Sequence, residues 1–184
     1  MRRNRWSWLP VVLLLCSCAG SSRYMVEAAH PSAPPDLHLI VVGDGVERGA
    51  LEKQARAAGL APRVHFVGFA QPVDVPRHYA MADLFVLPSA ETWGVVVLEA
   101  LASGLPVLVS DQVGCHPDAV TGPAVGAVLP KGDADLWAAA LATWAGRPPP
   151  PSTIGTAWAA TFDSLRYPVI AERMAALLHR CARR

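Results

Sequence analysis

Residues 84–110 read LFVLPSAETWGVVVLEALASGLPVLVS, and this stretch decides the fold. The apolar runs at 84–87 and 107–110 have the length of strands. Between them, residues 95–102 form an apolar run bounded by two glycines, which predicts a short helix. A strand, a helix and a second strand in this order predict two parallel strands joined by a crossover helix.

The same alternation extends to both sides of this stretch. Further apolar runs with the length of strands lie at 37–42, 64–67 and 127–129. Segments with helical spacing of apolar residues lie between or after them, at 47–58, 75–82 and 134–144. The sequence therefore predicts an α/β fold with a doubly wound, Rossmann-like parallel sheet. Ligands of such sheets bind beyond the carboxyl ends of the strands.

Composition narrows the class of protein. The chain has 184 residues, of which 52% are hydrophobic and 17% charged, and its formal net charge is +1. This length suits one domain, and so apolar a chain is not a disordered one. No basic excess points to nucleic acid, so no nucleic-acid partner is expected. The four cysteines form no C-x-x-C pair and match no zinc spacing, so free thiols and no metal site are expected.

The first thirty residues have the pattern of a leader. Three arginines stand within the first five residues, the apolar centre covers 9–18, and small residues follow at 19–21. This order is typical of a secretory signal, and Cys18 stands where a bacterial lipoprotein carries its lipid. Residues 1–30 are therefore predicted to be a signal-like or anchor leader. An apolar stretch created by a wrong start site or a truncated gene remains the alternative.

Two proline-rich stretches suggest the boundaries of the domain. The first covers 30–35, and the second covers 147–151 with four consecutive prolines. Such runs are stiff linkers, so the Rossmann-like domain is predicted to span 36–146. Residues 147–184 would then hold the second linker and a C-terminal amphipathic helix at 166–181.

Two carboxylates and a glycine mark a candidate binding site. Glu91 follows the strand at 84–87, at its carboxyl end, and Gly94 comes directly before the predicted helix. The free N–H groups and the positive end of a helix dipole at this point favour an anion. Glu99 lies five residues further on and is followed by apolar residues, which predicts a buried carboxylate. Carboxylates accept strong hydrogen bonds from hydroxyl groups, such as those of sugars and riboses.

With seven residues between Glu91 and Glu99, the chain resembles family 4 retaining glycosyltransferases, which share an E-x7-E signature. Other stretches resemble the same family in the same order: 42–45, 64–68, 102–107 and 110–114. The resemblance covers roughly 36–145 and implies the C-terminal, nucleotide-sugar-binding half of the two-Rossmann-domain (GT-B) architecture.

The resemblance also implies roles for particular residues. Glu91 would contact the donor sugar, and Glu99 would hold the ribose hydroxyls. The remaining implied positions are the diphosphate-binding amides of Gly94, Val95 and Val96, the crevice residues Gly43 and Gly45, and Val67 and Gly68 beside the nucleobase. Enzymes of this family need no metal, so no metal and no further cofactor are expected.

Two parts of the family pattern are missing from this chain. The N-terminal domain that binds the acceptor is not present, and neither is the basic pair that neutralises the donor diphosphate. The expectation is a truncated or split glycosyltransferase that contributes the donor-binding half. Its partners would be a nucleotide sugar, an unknown acceptor and a separate acceptor-binding domain, which would meet an exposed apolar patch. Its location would be cytoplasmic or membrane-associated.

Two other functions stay open. One is a nucleotide-sugar-binding module without catalysis, and the other is an exported lipoprotein. The Asp133-Ala134-Asp135 stretch is not predicted to bind a metal, because it precedes a helical run and Asp133 suits an N-cap. Trp137, Trp144 and Trp158 are predicted to pack in the core or between domains.

Overall fold

The computed structural model describes residues 11–15, 36–146, 151–165 and 172. Six strands form one sheet: β1 Val11–Leu15, β2 His38–Val42, β3 Val64–Gly68, β4 Leu84–Leu87, β5 Val107–Ser110 and β6 Gly126–Leu129. The helices are α1 Arg48–Ala57, α2 Val75–Met81, α3 Val95–Ala102, α4 His116–Ala119, α5 Ala134–Gly146 and α6 Pro151–Leu165. The predicted alternation of strands and helices is confirmed.

All neighbouring strands of the sheet are parallel, and their order is β3-β2-β1-β4-β5-β6. The chain moves outward from β1 to β3 in one direction and from β4 to β6 in the other. The direction therefore reverses between β1 and β4. In open parallel sheets, this reversal leaves a crevice at the carboxyl ends of the two strands, and ligands bind there.

The sheet begins earlier in the chain than the sequence predicted. Residues 11–15, predicted to belong to the apolar centre of a secretory signal, form an interior strand that pairs with β2 and with β4. The described sheet thus includes a segment that lies before the predicted start of the domain at residue 36. The two interpretations were hard to separate, because a buried parallel strand and a signal centre are both short, uncharged apolar runs. Cys18 and the predicted linker at 30–35 lie outside the described residues.

Buried side chains fill both faces of the sheet. Along β4, Phe85 and Leu87 belong to one hydrophobic cluster, whereas Leu84 and Val86 belong to the other. This alternation follows from the period of two in a strand. The first cluster includes residues of α2, α3, α4 and α6, and the second includes residues of α1 and α5. A sheet covered on both faces confirms the predicted doubly wound fold.

The C-terminal boundary also differs from the prediction. Helix α6 starts at Pro151, inside the predicted linker, and its Ile154 and Trp158 are buried in the first cluster. Proline fits the first turn of a helix, so a proline run does not have to remain a linker to its last residue. Residues 147–150 and, apart from 172, the predicted helix at 166–181 lie outside the described residues.

Two details of the helices complete the fold. The Asp133 carboxylate accepts a hydrogen bond of 3.1 Å from the backbone N–H of Leu136, which confirms the predicted N-cap of α5. Trp137 of this helix is buried in the second cluster, in agreement with its predicted packing role. In the parts of the chain that the structure describes, none of the helices is long and apolar enough to cross a membrane.

Candidate functional site

The loop after β4 carries the candidate site and is held by the loop after β5. The backbone N–H of Glu91 donates to the carbonyl of Gln112 at 3.0 Å, and that of Gly114 donates to the carbonyl of Glu91 at 2.9 Å. The N–H of Cys115 donates to the carbonyl of Trp93 at 2.8 Å. The two loops are therefore joined like a short pair of strands, and the backbone around Glu91 is fixed.

Gly114 allows this close approach. A Cβ atom at this position would lie 2.0 Å from the carbonyl oxygen of Thr92, which is far inside van der Waals contact. Any side chain at 114 would push the two loops apart.

Gly94 starts helix α3 in a conformation that side chains disfavour. Its φ is 94°, and a Cβ there would lie 2.8 Å from the Cγ1 of Val113. No side chain caps the helix, and the side chain of Val95 is 57% exposed. The amides of the first turn, at Val95 and Val96, are thus left to an acceptor from outside the helix. The start of α3, where the sequence predicts an anion, follows Glu91 by three residues.

A buried chain of hydrogen bonds leads to the side chain of Glu91. The hydroxyl of Ser110 is fully buried, accepts from the N–H of Gln112 at 3.1 Å and donates to the carbonyl of Ser89 at 2.7 Å. The hydroxyl of Ser89 in turn donates to the Glu91 carboxylate at 3.2 Å. Sequence reasoning missed both serines. Its only available signal was Ser110, the one polar residue in an otherwise apolar strand.

Glu99 differs from its prediction, because its side chain is exposed and not buried. Its Oε2 atom accepts a hydrogen bond of 2.9 Å from the hydroxyl of Tyr79, a residue of α2. The same hydroxyl lies 3.2 Å from the carbonyl oxygen of Val96. The apolar neighbours of Glu99 face the core, whereas its own side chain points out of the helix to the α2 side.

A second group of predicted residues lies at the carboxyl ends of β2 and β3. The N–H of Gly43 donates to the carbonyl of Gly68 at 2.8 Å, so these two glycines are neighbours. The N–H of Gly45 donates to the carboxylate of its neighbour Asp44 at 2.8 Å, and Val67 is half exposed. Strand β1 lies between this group and the Glu91 loop. The sheet thus brings both groups to one edge, on either side of the β1 strand.

Apolar side chains are exposed near this second group. Val46 is 94% exposed, Phe69 72% and Val73 79%, and all three lie in the connections that follow β2 and β3. They therefore lie at the same end of the sheet as the second group of predicted residues.

Cys115 lies directly beneath the site. It is fully buried, its sulfur is 3.5 Å from the carbonyl oxygen of Gly94, and burial raises the pKa of its thiol to about 11. At neutral pH the thiol is protonated and packs as a small apolar group, so it is a structural residue of the site.

The sequence of this chain matches a known protein family. A sequence profile of the family described as "Glycosyl transferases group 1" matches residues 23–156. A GDP-mannose-dependent alpha-(1-6)-phosphatidylinositol monomannoside mannosyltransferase of Mycolicibacterium smegmatis is 32% identical over 155 residues. This match covers 78% of the chain and 40% of the mannosyltransferase. A 2-deoxystreptamine N-acetyl-D-glucosaminyltransferase of Streptomyces fradiae is 38% identical over 103 residues, which cover 55% of the chain and 24% of that enzyme.

Solved structures share the fold. The sucrose-phosphate synthase of Thermosynechococcus elongatus aligns with a TM-score of 0.75 and 26% identity, over 95% of the chain and 46% of that protein. A glycosyltransferase involved in lipopolysaccharide biosynthesis, WaaG, aligns with a TM-score of 0.65 and 26% identity, over 86% of the chain and 43% of that protein. The chain spans less than half the length of each of these four proteins.

Proposed function

We propose, from the premise that the chain belongs to the glycosyl transferases group 1 family, that it binds the nucleotide-diphosphate sugar of a hexosyl transfer. One observation carries this proposal. Along the chain, Glu91 precedes the uncapped N-terminus of α3 and Glu99 follows it within the helix, next to the strand β4 at which the strand order reverses. A ligand with an anionic group between two sets of hydroxyl groups would match this arrangement. A nucleotide-diphosphate sugar is such a ligand, because its diphosphate lies between the sugar and the ribose.

The diphosphate is assigned to the start of α3. The amides of Gly94, Val95 and Val96 are expected to donate to its oxygens, and the helix dipole adds a favourable field. A helix N-terminus stabilises an anion by about 0.3 to 1 kcal/mol, and by up to about 2 kcal/mol where the site is partly buried. In this proposal the protein carries the charge of the leaving diphosphate without a metal ion.

The two carboxylates are assigned to hydroxyl groups on either side of the diphosphate. Glu91, held by Ser89, is expected to contact the donor sugar, and Glu99 is expected to accept hydrogen bonds from the ribose. The second group at the sheet edge would receive the nucleobase, with Val67 and Gly68 beside it and Gly43 and Gly45 lining the crevice.

The proposed reaction is a transfer with retention of anomeric configuration. The bond between the anomeric carbon and the diphosphate oxygen breaks, and the acceptor oxygen forms a bond to the same carbon on the same face. The acceptor proton leaves with the diphosphate. Negative charge grows on that diphosphate in the transition state, where fixed amide donors act most strongly.

The acceptor is assigned to a second half of the enzyme. Because the chain spans 40% of the mycobacterial mannosyltransferase, we assign it the donor-binding half and expect a separate N-terminal half to hold the acceptor. The exposed apolar side chains of Val46, Phe69 and Val73 are candidates for contacts with that half. We expect the activity in the cytoplasm or at a membrane surface, because nucleotide sugars are cytoplasmic substrates.

Titration calorimetry on the full chain tests this proposal. UDP, GDP and ADP are titrated in a buffer that contains a chelator, and GDP-mannose is the first sugar nucleotide to try, since the mycobacterial relative depends on it by name. One of them is expected to bind, and Glu99→Gln is expected to weaken its binding about 10- to 100-fold through the lost charged hydrogen bond.

The matched control is Asp36→Asn, which neutralises an exposed acid just before β2, at the opposite edge of the sheet. It is expected to leave the affinity unchanged. Failure of the folded wild-type chain to bind any of these ligands contradicts the proposal, and so does equal weakening by both substitutions.

A further inference from the structure

Tyr79 is the buried residue that connects helix α2 to the candidate donor site. Its side chain is only 2% exposed, and its ring packs at a tilt against Phe85, with 6.1 Å between the ring centroids. The hydroxyl at the end of this fixed ring reaches the Glu99 carboxylate at 2.9 Å and the Val96 carbonyl at 3.2 Å. A core side chain therefore ends at the site.

We propose that Tyr79 is a positioning residue for the donor, acting through Glu99. This inference rests on the proposed function, in which Glu99 binds the ribose. Tyr79 holds the Oε2 atom of the carboxylate, while Oε1 accepts no hydrogen bond from the described residues, and the residue is exposed. One oxygen is thus fixed by the protein, and the other is presented to a hydroxyl group.

The physical benefit is preorganisation. An exposed glutamate samples several rotamers, and ordering such a side chain on binding costs up to about 2 kcal/mol of conformational entropy. The tyrosine has only two side-chain torsions, and the core already fixes both. Its hydrogen bond therefore orders the Glu99 carboxylate before the ligand arrives, which is how rigid sites gain affinity.

The contact with Val96 extends this role to the diphosphate. Val96 belongs to the first turn of α3, whose amides are assigned to the diphosphate oxygens. The same hydroxyl thus sets the carboxylate relative to the start of the helix. Burial, and then the hydrogen bond and charge of Glu99, raise the pKa of Tyr79, so the hydroxyl stays a donor wherever the carboxylate is ionised.

The experiment is a double-mutant cycle on the full chain, read by calorimetry with the nucleoside diphosphate that binds best. Tyr79→Phe keeps the buried ring and removes the hydroxyl, and it is expected to weaken binding about 5- to 10-fold. In a Glu99→Ala background the same substitution is expected to change the affinity by less than about twofold, because no carboxylate is left to position.

Two further variants separate positioning from general stability. Ser103→Ala removes a hydroxyl that donates to the backbone carbonyl of Glu99 at 2.8 Å, and it is expected to leave the affinity unchanged. Glu99→Asp leaves the core untouched but draws the carboxylate back by one methylene, away from the Tyr79 hydroxyl. It is expected to lose affinity without additional loss when it is combined with Tyr79→Phe, and circular dichroism melting verifies that each variant is folded.

The outcomes distinguish this inference from the proposed function. A folded wild-type chain that binds no nucleotide contradicts both. Binding by the wild type that is unchanged in Tyr79→Phe contradicts the inference alone. An equal loss from Tyr79→Phe with and without the Glu99 carboxylate contradicts it as well, because Tyr79 would then act on the fold and not on Glu99.

Discussion

At the scale of single residues, the candidate site depends on polar groups inside an apolar sheet. Ser110 is the clearest case, because its buried hydroxyl connects the ends of β4 and β5 and leads through Ser89 to Glu91. Buried hydroxyls are costly unless both their donor and acceptor capacities are used, and this one uses both. The two hydrogen bonds of the Ser110 hydroxyl therefore fix the backbone at Ser89 and Gln112.

Replacement of Ser110 by alanine is expected to lower the free energy of unfolding by about 1 to 3 kcal/mol. The carbonyl of buried Ser89 would lose a buried hydrogen bond, and the N–H of Gln112 would lose a partly buried one. Chemical denaturation measures the change. Ser103→Ala, on an exposed face, is the control and is expected to change the stability by less than about 0.5 kcal/mol. Similar effects of the two substitutions would show that the Ser110 network is not important for stability.

The paired histidines of β2 and β3 predict that the stability of the fold depends on pH. His38 Nδ1 lies 2.9 Å from His65 Nε2, and the rings are stacked. Burial, followed by the charges of His65 and Arg63, lowers the pKa of His38 from 6.5, while Asp36 opposes this shift. The unfolded chain therefore binds the proton more readily than the folded one, and stability falls as the pH drops through the range just below 6.5.

This prediction is checked by chemical denaturation at several pH values on both sides of 6.5. The wild type is expected to lose more stability on acidification than His38→Gln, which has no imidazole to protonate. Ser103→Ala, which removes no titratable group, serves as the control and is expected to keep the wild-type slope. An identical slope in wild type and His38→Gln would refute the assignment to His38.

At the scale of secondary-structure elements, the sequence predicted the features that depend on the local pattern of apolar residues and glycines. Glu91, Gly94 and Glu99 were placed on the correct loop and helix, because the apolar runs around them have clear lengths and glycine boundaries. The partners of these residues were not predicted. Tyr79 lies 20 residues from Glu99 and Ser110 lies 21 residues from Ser89, so no local spacing links them. Only the packing of α2 on α3 and of β4 on β5 creates these contacts.

The close contact between the loops after β4 and β5 predicts the effect of a substitution at Gly114. Gly114→Ala would place a Cβ atom against the Thr92 carbonyl, 2.0 Å away, and backbone atoms cannot move aside as a flexible side chain does. The Glu91 loop is expected to shift, which should weaken nucleotide binding more than about 10-fold, because small displacements of a binding loop are costly. Calorimetry measures the affinity.

Gly122→Ala is the matched control, because a Cβ at that position meets no atom within 4 Å. It is expected to bind as the wild type does. Unchanged binding by Gly114→Ala would mean that the two loops separate without moving the site.

At the scale of the whole molecule, strand β1 determines where the site can lie. It pairs with β2 on one side and with β4 on the other, so it lies between the two groups of site residues. The sequence did not reveal this strand, because its apolar run follows basic residues and matches a leader equally well. Pairing with both β2 and β4 distinguishes the two interpretations, and that pairing is a property of the complete sheet.

The last prediction tests this strand directly. Leu13 pairs with Ile40 of β2 and Phe85 of β4, so Leu13→Pro would remove a backbone donor from the middle of an interior strand. Proline is tolerated at the first residue of a strand, which makes Val11→Pro the matched control. Leu13→Pro is expected to abolish cooperative thermal unfolding, whereas Val11→Pro should retain a transition at a lower temperature. If Leu13→Pro melts like the wild type, residues 11–15 do not belong to the sheet, and that result would favour the interpretation of this segment as part of a leader.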